Sequence, residues 1–434
     1  MAKSSFYGWK IVMVLWSIMI LNFAFPTFGL SVVNTYMAKA MHLDRKELGL
    51  AYSAFSMMAG LPGPLVGLAI TKLGLRLTTS VGALVTACGA LLMALTVKTI
   101  PEAIVVLGLI SGPGAGMAGT IAAQVGTARW FHAKRGRAMS LVLTASGIGG
   151  FAAVPILNSV ITRAGGNWRA AWWCMAAMSL CAAVVAALFI RESPEQMGQA
   201  PDGEASALAT AATETRERKP AGGVFKTSES WTLGEVLRTP VLWLLMFTNL
   251  GFFMGFFIYV AHGIALLEGL GHSPGAAARS ISILMISSLI GQFTVAWLGD
   301  RVETRYIFAV AVSLFGIGLV MSTKAVGAGA IYPYAICMGT GFSACFTSLA
   351  TMLSNYFGAK VYPLVLGVTT PIGTILGAIG PVLAGWSYDK SGSYAHSFYL
   401  VAGICFASTI LLPFARPPVR GIARANAAPA AQAV

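Results

Sequence analysis

An all-α membrane protein of twelve transmembrane helices, arranged as two six-helix bundles, follows from three features of this 434-residue sequence. Hydrophobic residues make up 56% of it and charged residues only 10%, with a mean hydropathy of +0.75. Soluble chains carry about 25% charged residues, so the charges here are too few to coat a soluble surface of this length. Apolar runs of about 20 residues, enough to cross ~30 Å of hydrocarbon, recur along the chain. The second half of the chain also repeats the first.

The apolar runs lie at 9–36, 48–70, 77–97, 102–127, 138–161, 170–190, 240–266, 278–299, 305–325, 328–353, 363–386 and 397–415. The first is too long for the apolar core of a cleavable signal and lacks a small-residue cleavage site before the next run, so it reads as a helix. Six runs precede the polar break at 191–239 and six follow it. The middle of that break, "GQAPDGEASALATAATETRERKPAGG", is polar, Pro/Gly-rich and low in complexity, the composition of a disordered loop. A short amphipathic piece is expected at 231–237. The expected organisation is a bundle over 1–190, a cytoplasmic linker over 191–239, a bundle over 240–416 and a cytoplasmic tail over 417–434.

The formal net charge is +14. A basic balance can signal a nucleic-acid partner, but here Lys and Arg are scattered through short loops between apolar runs. That is a topology pattern, so the partner is the lipid bilayer and no nucleic acid is expected. With both termini in the cytoplasm, 20 of the 29 Lys and Arg fall on the cytoplasmic side and 9 on the other, the bias that sets orientation in a membrane. Cys88, Cys174, Cys181, Cys337, Cys345 and Cys405 all lie in apolar runs and form no C-x-x-C pair. They read as packing residues rather than metal or redox groups. No metal, cofactor or catalytic constellation is expected, and the chain does not read as an enzyme.

The repeat is visible residue by residue. Shifted by 226 positions, "RWFHAKRGRA" lies over "NYFGAKVYPL", with Phe131 on Phe357, Ala133 on Ala359 and Lys134 on Lys360. Thr144 then meets Thr370, Gly147 meets Gly373 and Pro155 meets Pro381. An offset of 229 sets "TKLGLR" over "DRVETR", with Lys72 on Arg301 and Arg76 on Arg305. Both matches fall in equivalent loops of the two halves, and two parallel six-helix repeats are a transporter signature.

At these residues the sequence resembles the major facilitator superfamily. "GLAITKLGLR" and "WLGDRVETR" are similar to its signature loop. "RWFHAKRGRAMS", "GNWRAAW", "RESPEQMGQAPDG", "YFGAK" and "GPVLAGWSYDKSGSYAHSF" together resemble the branch holding monocarboxylate transporters and oxalate–formate antiporters, from about Trp9 to Phe414. The resemblance implies two six-helix bundles in a V around one central cavity, alternating access by rocking of the halves, and small carboxylates as the commonest substrates. It also marks Lys72, Arg76, Asp300, Arg301 and Arg305 as candidate gating residues. Two departures stand out. Thr71 occupies the place of the usual Asp in the first signature loop, while Asp300 is kept in the second. In the eighth span, where the branch carries an Asp and an Arg four residues on, this chain has Ser288 and Gln292.

By the span assignment, no Lys, Arg, Asp or Glu lies near mid-membrane. A buried membrane charge is costly and reads as functional, so its lack argues against a buried ion pair holding the substrate and against proton coupling through a central carboxylate. Unpaired polar groups in hydrocarbon cost several kcal/mol. Asn22, Asn249, Tyr259, His262, Gln292 and Thr370 are therefore the candidate substrate-binding residues, against the alternative that they bond neighbouring helices or, for Thr, their own backbone. His262 could bind an anion when protonated or simply donate to a carbonyl. The string "GPGAGMAG" contains a G-x-G-x-x-G pattern but has neither the preceding strand nor the following acid of a dinucleotide site; it reads as close helix packing.

These residues suit a monomeric secondary carrier for a small organic anion such as a monocarboxylate, coupled to a proton or a counter-substrate. An inward-negative potential opposes a lone anion by ~2.3 kcal/mol per charge per 100 mV, which is why a co-ion or exchange is required. A second reading is a carrier or efflux pump for neutral or amphiphilic compounds. A third is a membrane receptor or sensor on a transporter scaffold, which would call for a long soluble extension.

Overall fold

The computed structural model describes residues 6–41, 45–203 and 224–418, and these are helical almost throughout, with no strand among them. The polar middle of the linker and the tail beyond 418 lie outside the described residues. Twelve long helices follow in chain order. α1 covers 8–41, α2 comprises Arg45–Gly60 and Gly63–Lys72, α3 is Leu75–Leu95, α4 is Ile100–Trp130, α5 is Arg135–Arg163 and α6 is Arg169–Phe189. α7 is Pro240–Gly269, α8 Pro274–Leu298, α9 Thr304–Ser322, α10 Ile331–Phe357, α11 Tyr362–Ser391 and α12 Ala395–Leu411. Among the described residues, eleven spans are long and apolar enough to cross a bilayer as they stand, and Ser53–Gly60 with Gly63–Lys72 of α2, bent by 42°, taken as one span is the twelfth. Pro62 explains the bend: it lacks an N–H and pushes Leu61 away from helical geometry.

Two helices are irregular in their interiors. α1 is α-helical over Gly8–Ile18, π-helical over Met19–Ala24 and α-helical again over Phe25–Met41. α4 runs as Ile100–Val105, a π turn at Val106–Ser111, Gly112–Met117, a break at residues 118–119, and Thr120–Trp130. Each π turn ends two residues before a proline, Pro26 in α1 and Pro113 in α4. A proline cannot donate to the carbonyl four residues back and its ring crowds that carbonyl; a π turn is one way a helix absorbs the mismatch.

The chain clusters into two compact units, one of residues 1–134, 141–216 and 366–371, the other of 135–140, 217–365 and 372–434. In the first unit α3 packs on α4 and α6, and α2 on α4. Glycines make these approaches possible. A Cβ on Gly114 would stand 2.6 Å from the Thr86 nitrogen of α3, and one on Gly112 would stand 2.8 Å from the Phe55 carbonyl oxygen of α2. The second unit repeats the device. Gly341 of α10 stands against the Phe315 nitrogen of α9, where a Cβ would approach to 2.6 Å, and Gly339 lies on the Leu284 carbonyl of α8. Gly112 and Gly114 of α4 thus correspond to Gly339 and Gly341 of α10. Small residues are the natural currency of helix contact in lipid, which supplies no hydrophobic drive for association. Gly339→Val is expected to destabilise the second unit by about 1–3 kcal/mol through overpacking onto backbone, read as a lower unfolding temperature of the purified protein.

Charged groups sit at helix ends and satisfy backbone there. In the first unit Glu192 accepts from Leu75 N–H and Arg76 N–H, both at 2.8 Å, and pairs with Arg129 at 2.7 Å. Gly74 makes room for it with φ +91°; a Cβ there would meet Glu192 Oε1 at 2.7 Å. Asp202, itself at φ +63°, accepts from the backbone of His132 (2.9 Å), Ala133 (2.6 Å) and Lys134 (3.0 Å). Arg169 donates to Ala94 O at 2.8 Å and Val97 O at 2.7 Å, satisfying carbonyls at the end of α3. These are the orphaned donors and acceptors that every helix leaves at its termini.

The linker's far end belongs to the second unit. Thr227 N–H donates to Asn355 O at 2.8 Å, and Trp231 and Phe225 lie edge-on to Phe357 and Tyr356. The expected amphipathic piece is a short helix, Leu233–Leu237, started by a capping box between Thr232 and Glu235.

Candidate functional site

Among the described residues of the spans, charged side chains lie at or near the helix ends, and the interiors carry amides, hydroxyls and aromatic rings. In the first unit Asn22 is fully buried in the π turn of α1, with neither amide atom hydrogen-bonded. Trp16 of α1 donates to Thr144 of α5 at 3.0 Å, and Tyr36 to Asn158 at 3.0 Å.

In the second unit Asn249 of α7 is 3% exposed, its Oδ1 unbonded, and its Nδ2 lies beside Gly373 of α11, 2.9 Å from where a Cβ would be. One and two turns along α7 come Phe253 and Phe257, the latter against Gly377. Phe252 and Phe256 from α7 and Phe342 and Phe346 from α10 complete an aromatic wall in which Phe256 and Phe342 stack at 3.9 Å. The arrangement places one amide at the end of an apolar, half-exposed surface. Phenylalanine faces and edges can hold the carbon skeleton of a small metabolite while the amide orients a polar end.

The other sequence-derived residues are placed as follows. Tyr259 is buried, its hydroxyl bonded to Ser280 at 2.7 Å and to Tyr334 at 3.1 Å, an interhelical network of α7, α8 and α10. His262 is half-buried; its Nε2 lies 3.0 Å from Pro381 O and must carry the proton for that bond, and its ring stacks on Tyr394 at 5.0 Å. Gln292 is buried in α8, and Thr370 is half-buried in α11. Lys72 and Arg76 have exposed side chains, while Arg76 N–H is held by Glu192. Arg301 lies over Trp297, and Arg305 donates to Pro413 O at 3.2 Å. Thr71 bonds back to Gly67 O at 2.8 Å.

Asp300 accepts from Gly136 N–H at 2.9 Å and Arg137 N–H at 3.2 Å, and so caps the start of α5. Burial pushes its carboxyl above the usual aspartate range, opposed by Lys226 and by the two N–H bonds. Beside it, the buried Arg135 donates to Ser354 O at 2.7 Å, taking up a carbonyl at the end of α10.

Sequence reasoning did not single out Glu192 or Asp202 as helix caps, although both stand in the quoted "RESPEQMGQAPDG". It also passed over the phenylalanine wall, whose signal is the "GFFMGFF" run of α7 repeating aromatic pairs every four residues.

A helical membrane domain built from two repeats, with polar groups gathered at depth and charges at the helix ends, defines a polytopic carrier. The chain belongs to the Major Facilitator Superfamily, whose family model matches residues 12–381 and 266–433. It is therefore a multi-pass integral membrane protein of a family of transporters for small molecules. Among curated relatives it is similar to rat monocarboxylate transporter 13, at 25% identity over 419 residues covering 94% of this chain and 88% of the relative. It is also similar to mouse monocarboxylate transporter 14, at 25% identity over 487 residues covering 96% and 91%. Its fold matches a crystal structure of the E. coli fucose:proton symporter with a TM-score of 0.70 at 17% identity, covering 94% of this chain and 98% of that one.

Proposed function

We propose that this protein is a secondary active transporter that moves small organic anions, monocarboxylates or related metabolites, by alternating access. The observation that carries this reading is the similarity to monocarboxylate transporters along nearly the whole chain. The residues fit it in a particular way. With Ser288 and Gln292 where the branch has Asp and Arg, the second unit offers substrate neutral donors and an aromatic wall in place of a side-chain cation. Asn249 and Gln292 are the side chains of the second unit proposed to orient substrate. Coupling runs to a proton or a counter-substrate, the working unit is a monomer, and the protein resides in a bacterial inner (plasma) membrane with both termini cytoplasmic.

A thermal-shift series on purified protein tests the substrate class, since a ligand that prefers the native state raises apparent stability by RT ln(1 + [L]/Kd), about 2.7 kcal/mol at a hundredfold excess over Kd. Small monocarboxylates are expected to raise the unfolding temperature. A rise with neutral metabolites alone would overturn the assignment.

The phenylalanine wall favours a second reading, a carrier for neutral or amphiphilic compounds, because rings such as Phe253, Phe256 and Phe342 offer a large apolar face. His262 separates coupling schemes. Its Nε2–H ties the ring to the Pro381 carbonyl of α11, and His262→Ala, which removes the one imidazole proposed to contact substrate, is expected to alter the pH dependence of uptake. An unaltered profile would remove His262 from the coupling step.

A further inference from the structure

The break in α4 leaves a helix start inside a membrane span. The piece beyond it, Thr120–Trp130, has 11 residues and Gly119 as its N-cap, with no side-chain cap. Among the described residues no acceptor takes the N–H of Thr120, Ile121 or Ala122. These are the orphan donors at the positive end of a helix dipole, and within a membrane span a break that leaves them is tolerated where it lines a cavity.

A second, independent feature lies level with this start. The π turn of α1 packs against both pieces of α4, Gly112–Met117 on one side of the break and Thr120–Trp130 on the other. The Phe23 ring sits where a Cβ on Gly119 would reach it at 2.9 Å. Leu15, two turns before Asn22, lies against Gly126, two turns beyond Gly119, where a Cβ would meet its Cδ1 at 2.5 Å. The antiparallel register therefore brings Asn22 level with the start of the Thr120 helix. Asn22 is fully buried, and both its amide nitrogen and its amide oxygen lack partners. Thr120 and Phe23 are partly exposed, so the place is open on one side.

We propose that the break in α4 is the carboxylate subsite of this transporter. One oxygen of the anion accepts from the N–H groups of Thr120–Ala122, and the other accepts from the Asn22 side-chain NH₂. Sign decides the ligand class: three backbone N–H groups and a dipole's positive end attract an anion and repel a cation. Discontinuous helices whose half-helix N-termini meet a substrate carboxylate are an established solution where a charged side chain is absent. The inference rests on the organic-anion reading and supplies what that reading lacks, a positive potential without Lys or Arg in the span interior.

Calorimetric titration of the purified protein with L-lactate, pyruvate and oxalate, and with lactamide as the uncharged control, tests it. Proline is tolerated at the first position of a helix, so Thr120→Pro deletes one N–H donor while keeping the helix, and Thr120→Ala deletes only the hydroxyl. Thr120→Pro is expected to weaken lactate binding about tenfold or more, the factor for a lost charge-assisted hydrogen bond, with lactamide binding unchanged. Thr120→Ala is expected to stay within about twofold of wild type. Asn22→Leu, which keeps the helix and removes the amide, is expected to follow Thr120→Pro and decides the matter should the proline variant fail to fold. Wild-type lactate affinity in Thr120→Pro or in Asn22→Leu would overturn the subsite and leave the carrier reading standing. A wild-type protein that binds none of the three carboxylates would overturn both.

Discussion

Glu192→Ala is expected to destabilise the first unit by about 2–4 kcal/mol. The carboxylate closes three obligations at once. It accepts from Leu75 N–H and Arg76 N–H at the start of α3 and pairs with Arg129. A lost N-cap costs about 0.5–2 kcal/mol, and hydrogen bonds to a charged group contribute about 1.5–3 kcal/mol each. The ion pair adds little by itself, because its side chains are 22% and 27% exposed and solvent screens them. Glu192→Gln keeps one acceptor oxygen and should fall between. Thermal unfolding in detergent, followed by tryptophan fluorescence, reads the difference, and a midpoint equal to wild type in Glu192→Ala would remove Glu192 from this role.

Asp300→Asn is expected to slow transport by a factor of about 2–30 while leaving the folded protein intact. The factor is the rate equivalent of the ~0.5–2 kcal/mol by which a carboxylate stabilises a helix start. The sign of the stability effect follows from burial. Because the Asp300 carboxyl is pushed above the usual aspartate range, chiefly by desolvation, the folded chain holds that proton more tightly than the unfolded chain. Its contribution to stability is full below the usual aspartate range and is lost as the pH rises through the raised value. An amide at this position mimics the protonated form, so the fold loses little at neutral pH while the cap on Gly136 and Arg137 loses its charge. Gating is thereby separated from folding: initial uptake rates fall while the unfolding midpoint holds. Unchanged uptake in Asp300→Asn would refute a gating role.

The spans and the repeat were legible because they depend on hydropathy and spacing, both local quantities. Twelve apolar runs became twelve helices, with α2 bent where Pro62 stands. The π turns were half legible. Pro26 and Pro113 announce a backbone defect, but only the fold shows that each is absorbed by an extra residue in the preceding turn. The Gly112/Gly114 to Gly339/Gly341 match is present in the letters, yet its meaning, close backbone approach of α4 to α2 and α3 and of α10 to α8 and α9, is a tertiary fact. The caps by Glu192 and Asp202 were not legible. Glu192 and Leu75 are far apart in sequence, and a carboxylate in a polar segment looks solvated until a helix start arrives beside it. Among the polar candidates, the sequence could rank residues by depth but not by partner. Tyr259 and Asn249 are both buried, and only the structure separates a hydroxyl already bonded to Ser280 and Tyr334 from an amide beside the aromatic wall.

The most direct test of the account is counterflow in proteoliposomes, with purified protein as the sole carrier and lactate, oxalate and a hydrophobic dye as alternative internal substrates. A carrier that holds small anions with neutral donors is expected to accumulate labelled lactate or oxalate transiently against an excess of the same anion inside. Exchange of the dye with no exchange of either carboxylate would contradict it.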